Sequence, residues 1–226
     1  MNNSVGNTAR LLGAGLRALL VLTVICGILY PLAVTGVAQT LFHDKANGSE
    51  IKADGKVVGS ELIGQRYDLP LKKGQDTPEP DLRWFQPRPA NGLGENSVNT
   101  RYKLLLSGAT NLSGDNKDLI KQVKAAKAAV IRDNSTAAHK VKPSEVPTDS
   151  VTSSASGLDP HISPAYADLQ VHRVAEKNHV SAARVQNLVD ENTEQRTLGF
   201  LGEPRVNVLR LNIALRELTT RGGDGS

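Results

Sequence analysis

The residues best suited to chemistry lie in one short stretch, Ser156-Gly157-Leu158-Asp159-Pro160-His161-Ile162-Ser163-Pro164. Asp159 and His161 stand two apart. A D-x-H pair can ligate a metal, or a carboxylate can orient an imidazole for proton transfer. Ser107-Gly108 and Ser154-x-Ser156 supply hydroxyls that a hydrolase could use. None of them sits in a G-x-S-x-G elbow. No third metal ligand stands close by in sequence, no helix carries a pair of zinc-binding histidines, and nothing matches the G-x-x-x-x-G-K-[ST] phosphate loop. The stretch also reads as a turn leading into a helix. Gly157 permits unusual backbone angles, Asp159 can accept from its own downstream amides, and Ser163-Pro164 is an N-cap followed by the first helical position. The turn reading is favoured. It makes Ser156, Gly157, Leu158, Asp159, Pro160, His161 and Ser163 structural or partner-contacting residues, with no catalytic, cofactor-binding or metal-ligating role.

The elements around this stretch follow from patterning. Ser163-Pro164 opens a helix to about Asn178, and Ser181 opens another to about Gln195, with Val185, Leu188 and Val189 at helical spacing. Lys117–Arg132 reads as a helix with Leu119, Ile120, Val123 and Val130 on one face. Lys117, Lys121, Lys124 and Lys127 form its solvated side. Thr197–Gly202 is a turn. After Pro204 the segment RVNVLRLNIALREL fits a strand by alternation and a helix by its period, and its length and ending favour the helix. Residues 43–75 look like short strands and turns. Residues 76–114, with Pro78, Pro80, Pro87 and Pro89, are extended and irregular, and 133–150 form a loop. The sum is an α+β domain over 43–221 and a disordered tail at 222–226.

Ahead of that domain, Ala18–Phe42 contains no Asp, Glu, Lys or Arg. About 25 uncharged residues exceed the roughly 20 needed to cross a bilayer as a helix. Cleavage after Ala38 would make this a signal peptide, and a lipoprotein would need a small residue before Cys26, where Ile25 stands; an uncleaved anchor is favoured. Arg10 and Arg17, with no acid before residue 43, put the N-terminal tail (1–17) in the cytoplasm and everything from His43 outside. Pro31, Thr35, Gly36 and Gln39 are poor neighbours for lipid and mark a face for a partner helix.

Composition removes other classes. Residues 43–226 hold all 23 acidic residues and all but two of the 27 basic ones, a near-balance that argues against nucleic acid as partner. The single cysteine, Cys26, lies in the membrane run, so the outer domain has neither a disulfide nor a cysteine metal site.

Read in order, the motifs resemble the C subunit of Kdp-type potassium-transporting ATPases, the KdpC family. Tyr30-Pro31-Leu32 and Thr35-Gly36-Val37-Ala38-Gln39 are similar to that family's YPLxxTGxAQ. Ala46-Asn47-Gly48-Ser49 and Gly59-Ser60-Glu61-Leu62-Ile63-Gly64-Gln65 follow, then Trp84-Phe85 with Arg88-Pro89, and Ser107-Gly108-Ala109-Thr110-Asn111-Leu112. The fullest match runs from Val146-Pro147 through Asp149 to Pro164. Arg173-Val174-Ala175 and Pro204-Arg205-Val206-Asn207-Val208-Leu209 complete the series. His43 departs from the family's Pro after Phe.

The resemblance implies a single-pass subunit of the bacterial inner membrane with an extracytoplasmic domain. Its implied partners are a channel-like potassium-binding subunit, a P-type ATPase catalytic subunit, a small single-helix subunit and membrane lipid. It implies a role in stabilising the complex and in raising the pump's affinity for ATP, with ATP and potassium handled by the partner subunits and no cofactor bound here. With the domain outside and ATP inside, any effect on ATP has to be indirect. Two other readings remain: a membrane-anchored hydrolase using Asp159, His161 and a serine, and a secreted binding domain.

Overall fold

A computed structural model describes residues 3–75, 77–90, 94–95 and 105–223. The chain divides into two units, residues 1–50 and 51–226. The first is almost continuous helix: α1 (Asn3–Val24), a π-helical turn (Ile25–Leu29), α2 (Tyr30–Leu41) and the one-turn α3 (His43–Ala46). Helix therefore begins well before the apolar run does. The π turn has a local cause. Pro31 has no N–H to offer the Gly27 carbonyl, and the Tyr30 N–H reaches back to Ile25 instead. Ser4–Leu41 has a mean hydropathy of 2.3 over its most apolar stretch and buries none of it within the protein. A helix that apolar on every side needs an apolar surround.

The second unit is α+β. Its first strands, β1 (Glu50–Ala53) and β2 (Lys56–Ser60), form a two-stranded sheet turning at Asp54-Gly55, both at positive φ. A second pair, β3 (Gly94–Glu95) and β4 (Leu105–Leu106), lies in the stretch expected to be irregular. Helix α4 (Lys117–Asn134) is capped by Asn116, whose side chain accepts from the Asp118 and Leu119 amides. Single 3-10 turns at Pro143–Glu145 and Thr148–Ser150 carry the chain to β5 (His161–Ile162) and α5 (Pro164–Asn178).

Two boundaries differ from the sequence expectation. Helix α6 (Ala182–Glu191) stops short of Gln195, because the Asn192 and Thr193 side chains turn back onto the Leu188 and Val189 carbonyls. Thr193–Glu194 is then β6. The segment after Pro204 is not helix from its start. Arg205–Asn207 is β7, the central strand between β5 and β6, and α7 (Val208–Gly223) follows. The alternating Leu209, Leu211, Ile213 and Leu215 all lie within α7, so that alternation did not mark the strand. Helix α7 runs through Gly223, into the expected tail, whose residues 224–226 lie outside those described.

The core forms where α5, α6 and α7 meet β5 and β7. Phe85, Ile162, Tyr166, Val171, Val174, Val185, Val189, Val206, Leu211 and Leu215 are all buried there. With aromatic residues only 4% of the chain, valine and leucine supply most of this volume.

Candidate functional site

The loop from Ser154 to Ser163 crosses the edge of the three-stranded sheet and starts α5. Its backbone is fastened at each step. The Ser156 carbonyl accepts from the Gly108 amide and the Ser107 hydroxyl, both at 3.0 Å. Leu158 O accepts from Gly64 N at 2.7 Å, and Pro160 O from Val208 N at 3.0 Å. Gly157 has φ +67°, the left-handed region that favours glycine. Gly64 is required for a different reason. A Cβ there would lie 2.6 Å from the Asp159 carbonyl oxygen, too near for any side chain. His161 and Ile162 pair with Asn207 and Val206.

The polar side chains of the loop are engaged inside it. Asp159 Oδ1 accepts from the His161 amide at 2.9 Å and Oδ2 from the Arg88 guanidinium at 3.2 Å. Arg88 also reaches the Thr152 and Ser153 carbonyls at 3.4 Å. The His161 ring Nδ1 lies 3.4 Å from Asp159. Ser163 has its amide and hydroxyl on the two oxygens of Asp149, at 2.7 and 2.9 Å, while its Oγ accepts from Tyr166 N as the cap of α5. Ser154 and Ser156 hydroxyls face each other at 3.3 Å, and Ser156 Oγ accepts from Leu158 N. A groove of about 480 Å³ opens beside these residues, lined by Arg88, Asp149, Asp159, His161 and Ser163 among others. No described hydrogen bond joins a serine hydroxyl to His161. Among the described residues no three His, Cys, Asp or Glu side chains converge as a metal site. The arrangement can hold a corner rigid, and its hydroxyl–carboxylate pair, Ser163 with Asp149, also caps α5.

Behind the loop lies a second polar construction that sequence reasoning missed. The strip Leu82–Gln86 has no strand beside it, and side chains supply its hydrogen bonds. The Arg173 guanidinium donates to the Leu82 carbonyl, to Trp84 O at 2.9 Å, to Asn134 Oδ1 at 2.9 Å and to Gln170 Oε1 at 2.6 Å. Asn212 bonds both the amide and the carbonyl of Phe85 at 2.9 Å, and Gln170 does the same for Gln86 at 2.7 and 3.1 Å. Asn178 donates to Arg83 O at 2.7 Å. Arg173 is 2% exposed. Burial lowers its pKa to about 10, which still leaves it charged at neutral pH, and burial pushes Tyr166 up to about 12. A lone Arg at a core-facing helical position was the available signal, visible once α5 is drawn on a helical wheel.

The membrane-helix candidates belong to the first unit. Gly36 has open space around it, and Pro31 sits just after the π turn. Gln39 already has a partner: its amide exchanges two hydrogen bonds with Asn47, at 3.1 and 3.2 Å. That pairing removes the argument that Gln39 needs an acceptor from another helix.

Comparison with known proteins covers most of both units. Residues 12–217 match the family described as K+-transporting ATPase, c chain. The potassium-transporting ATPase KdpC subunit of Streptomyces avermitilis is 79% identical over 218 residues, spanning 96% of this chain and 98% of the relative. That of Streptomyces coelicolor is 72% identical over 98% of this chain and 99% of its own. The Clostridioides difficile subunit is 40% identical over 88% of this chain and 93% of its own. Matches of that extent, reaching from the apolar helix through the fastened loop to α7, show that the chain belongs to the KdpC family of K+-transporting ATPase subunits.

Proposed function

We propose that this protein is a non-catalytic accessory subunit of an ATP-driven potassium uptake pump. Its helix spans the bacterial plasma membrane with the N-terminus in the cytoplasm, and the domain from His43 onward is extracytoplasmic. It assembles with a channel-like potassium-binding subunit, a P-type ATPase catalytic subunit and a small single-helix subunit. It stabilises that complex and supports ATP use indirectly, through assembly. Potassium and ATP are bound by the partners.

The observation that carries the non-catalytic reading is the state of Asp159, Asp149 and Ser163. Each of their side-chain oxygens is already committed to a neighbour in the same loop or to Arg88. A general base has to be free to reach a substrate proton. The test is the intact complex carrying Asp159→Asn or His161→Ala. Both variants should lower its yield or thermal stability, while each surviving complex hydrolyses ATP in response to potassium at the wild-type rate. Full assembly with lost turnover, or tight zinc binding by the unmodified protein, would refute this reading. Proteolysis of spheroplasts should digest the domain. Digestion confined to inverted vesicles would reverse the topology.

A further inference from the structure

The connection between β6 and β7 is built unlike the rest of the domain. Thr197 and Leu201 exchange backbone hydrogen bonds at 2.9 Å in both directions, and Gly199 N donates to Arg196 O at 3.1 Å. These bonds make a small closed hairpin. At its tip Leu198 is 78% exposed, Phe200 68% and Leu201 51%. The same domain buries leucines and valines completely a few residues away, at Val206 and Leu211. Three large exposed apolar side chains thus fall within four consecutive residues of one short hairpin.

The backbone of the tip runs against local preference. Leu198 has φ +55°, a region that glycine and asparagine enter readily and a bulky residue does not. Gly199 and Gly202 beside it have φ near +80°. A turn selected for its own stability would carry Asn or Gly at 198. The tip thus holds a leucine that is both strained and solvent-exposed, a combination found where a side chain acts on something outside the fold.

The neck indicates what that something is. Arg196 is paired with Glu203 at 2.8 Å and Arg205 with Glu194 at 2.9 Å. Both positive charges at the base of the tip are neutralised. An anchor for an anionic lipid surface keeps its Lys and Arg free at that level. A second copy of this chain is disfavoured by size: a stable interface takes about 20–30 residues a side, and two such tips bring three large apolar residues each. A projecting, uncharged plug on a rigid mount suits a concave apolar pocket in a larger protein. The mount is rigid because β6 and β7 lead directly into the buried sheet.

Resting on the accessory-subunit reading, we propose that Leu198, Phe200 and Leu201 form the docking anchor of this chain. They seat in an uncharged, aliphatic- or aromatic-lined pocket on the extracytoplasmic surface of one of the pump's membrane subunits. A rigid apolar anchor surrounded by neutral contacts is the usual form of a binding hot spot.

The test uses the full chain in cells expressing the whole pump. A photo-crosslinking phenylalanine analogue at position 200 should join this chain to one membrane subunit on irradiation. Phe200→Asp should lower recovery of the other subunits with this chain by about tenfold or more, with the unfolding midpoint unchanged. Leu198→Asn is the decisive variant. It relieves the left-handed strain, so the domain should unfold at an equal or higher midpoint while assembly falls. A merely structural turn would make stability and assembly move together. Adducts only with lipid or with a second copy would overturn the proposal. So would wild-type recovery of the complex by both variants while the unmodified chain co-purifies normally. If the unmodified chain fails to co-purify with the P-type subunit, the accessory-subunit reading falls and this proposal falls with it.

Discussion

Replacing Arg173 by methionine should cost the domain about 3 kcal/mol, and the structure shows why. The substitution keeps much of the aliphatic length and removes every donor. Three acceptors lose a bond: Asn134 Oδ1 and the carbonyls of Leu82 and Trp84. Gln170 Oε1 keeps the Gln86 amide. A buried acceptor stranded in this way costs about 1–3 kcal/mol. Against this stands relief of a buried cation. The fall of the Arg173 pKa from the ordinary guanidinium value to about 10 corresponds to about 3 kcal/mol that charging it costs the fold. Taking the middle of the range for three acceptors and subtracting that relief leaves about 3 kcal/mol, a large part of a stability of about 5–15 kcal/mol. In urea this is a midpoint lower by about 1–2 M. Trp84 is the only tryptophan, lies in the affected strip and has its ring centroid 5.8 Å from that of Tyr67, so its fluorescence reports the event. Lys72→Ala is the control, because its pair with Glu79 joins two exposed side chains and its loss should leave the midpoint unchanged. If Arg173→Met unfolds at the wild-type midpoint, the side-chain ladder is not what holds Leu82–Gln86 in place.

Other expectations follow from single contacts. Gly64→Ala should destabilise the domain by about 1–3 kcal/mol, measured by thermal unfolding, because its Cβ meets backbone at Asp159 that cannot move without breaking the Leu158 bond. Stability should fall as pH drops below 6.5 and continue falling through the native pKa of His172, which desolvation and then the stacked His139 ring hold below the ordinary value. The unfolded chain takes up that proton first, and His172→Phe should flatten this part of the pH profile. Gly36→Leu should leave membrane insertion intact, since the position has open space within the chain, and should reduce recovery of the complex. Normal recovery would mean that this face meets lipid.

What the sequence made legible was whatever has a period or a cap. The uncharged run, the Lys117 helix and the Ser163-Pro164 start all carry patterns long enough to read, and the structure has helices in each place. The three-stranded sheet was not legible because its strands are two or three residues long, shorter than one full alternation. Thr193 and Glu194 sit inside what scans as continuing helix, and only the pairing with Val206 and Arg205, across the Thr197–Gly202 turn, makes them strand. The turn chemistry of the Asp159 loop was readable from residue types. The Arg88 and Gly64 contacts that fix it were not, because they join positions about 70 and 95 residues away.

The distribution of polar and apolar groups bears on function as a whole. Arg173, Gln170, Asn207 and Asn212 are nearly solvent-free, and each is spent on the backbone of a neighbouring segment. The carboxylates of Asp149 and Asp159 are spent on the loop that starts α5. Leu198, Phe200 and Leu201 point the other way, into solvent. Here no buried side-chain polar atom among the described residues lacks a partner. At the Leu198–Leu201 tip the exposed groups are apolar. A chain with inward-facing polarity and an outward-facing apolar tip gains free energy when that tip is covered, as the proposed docking would do.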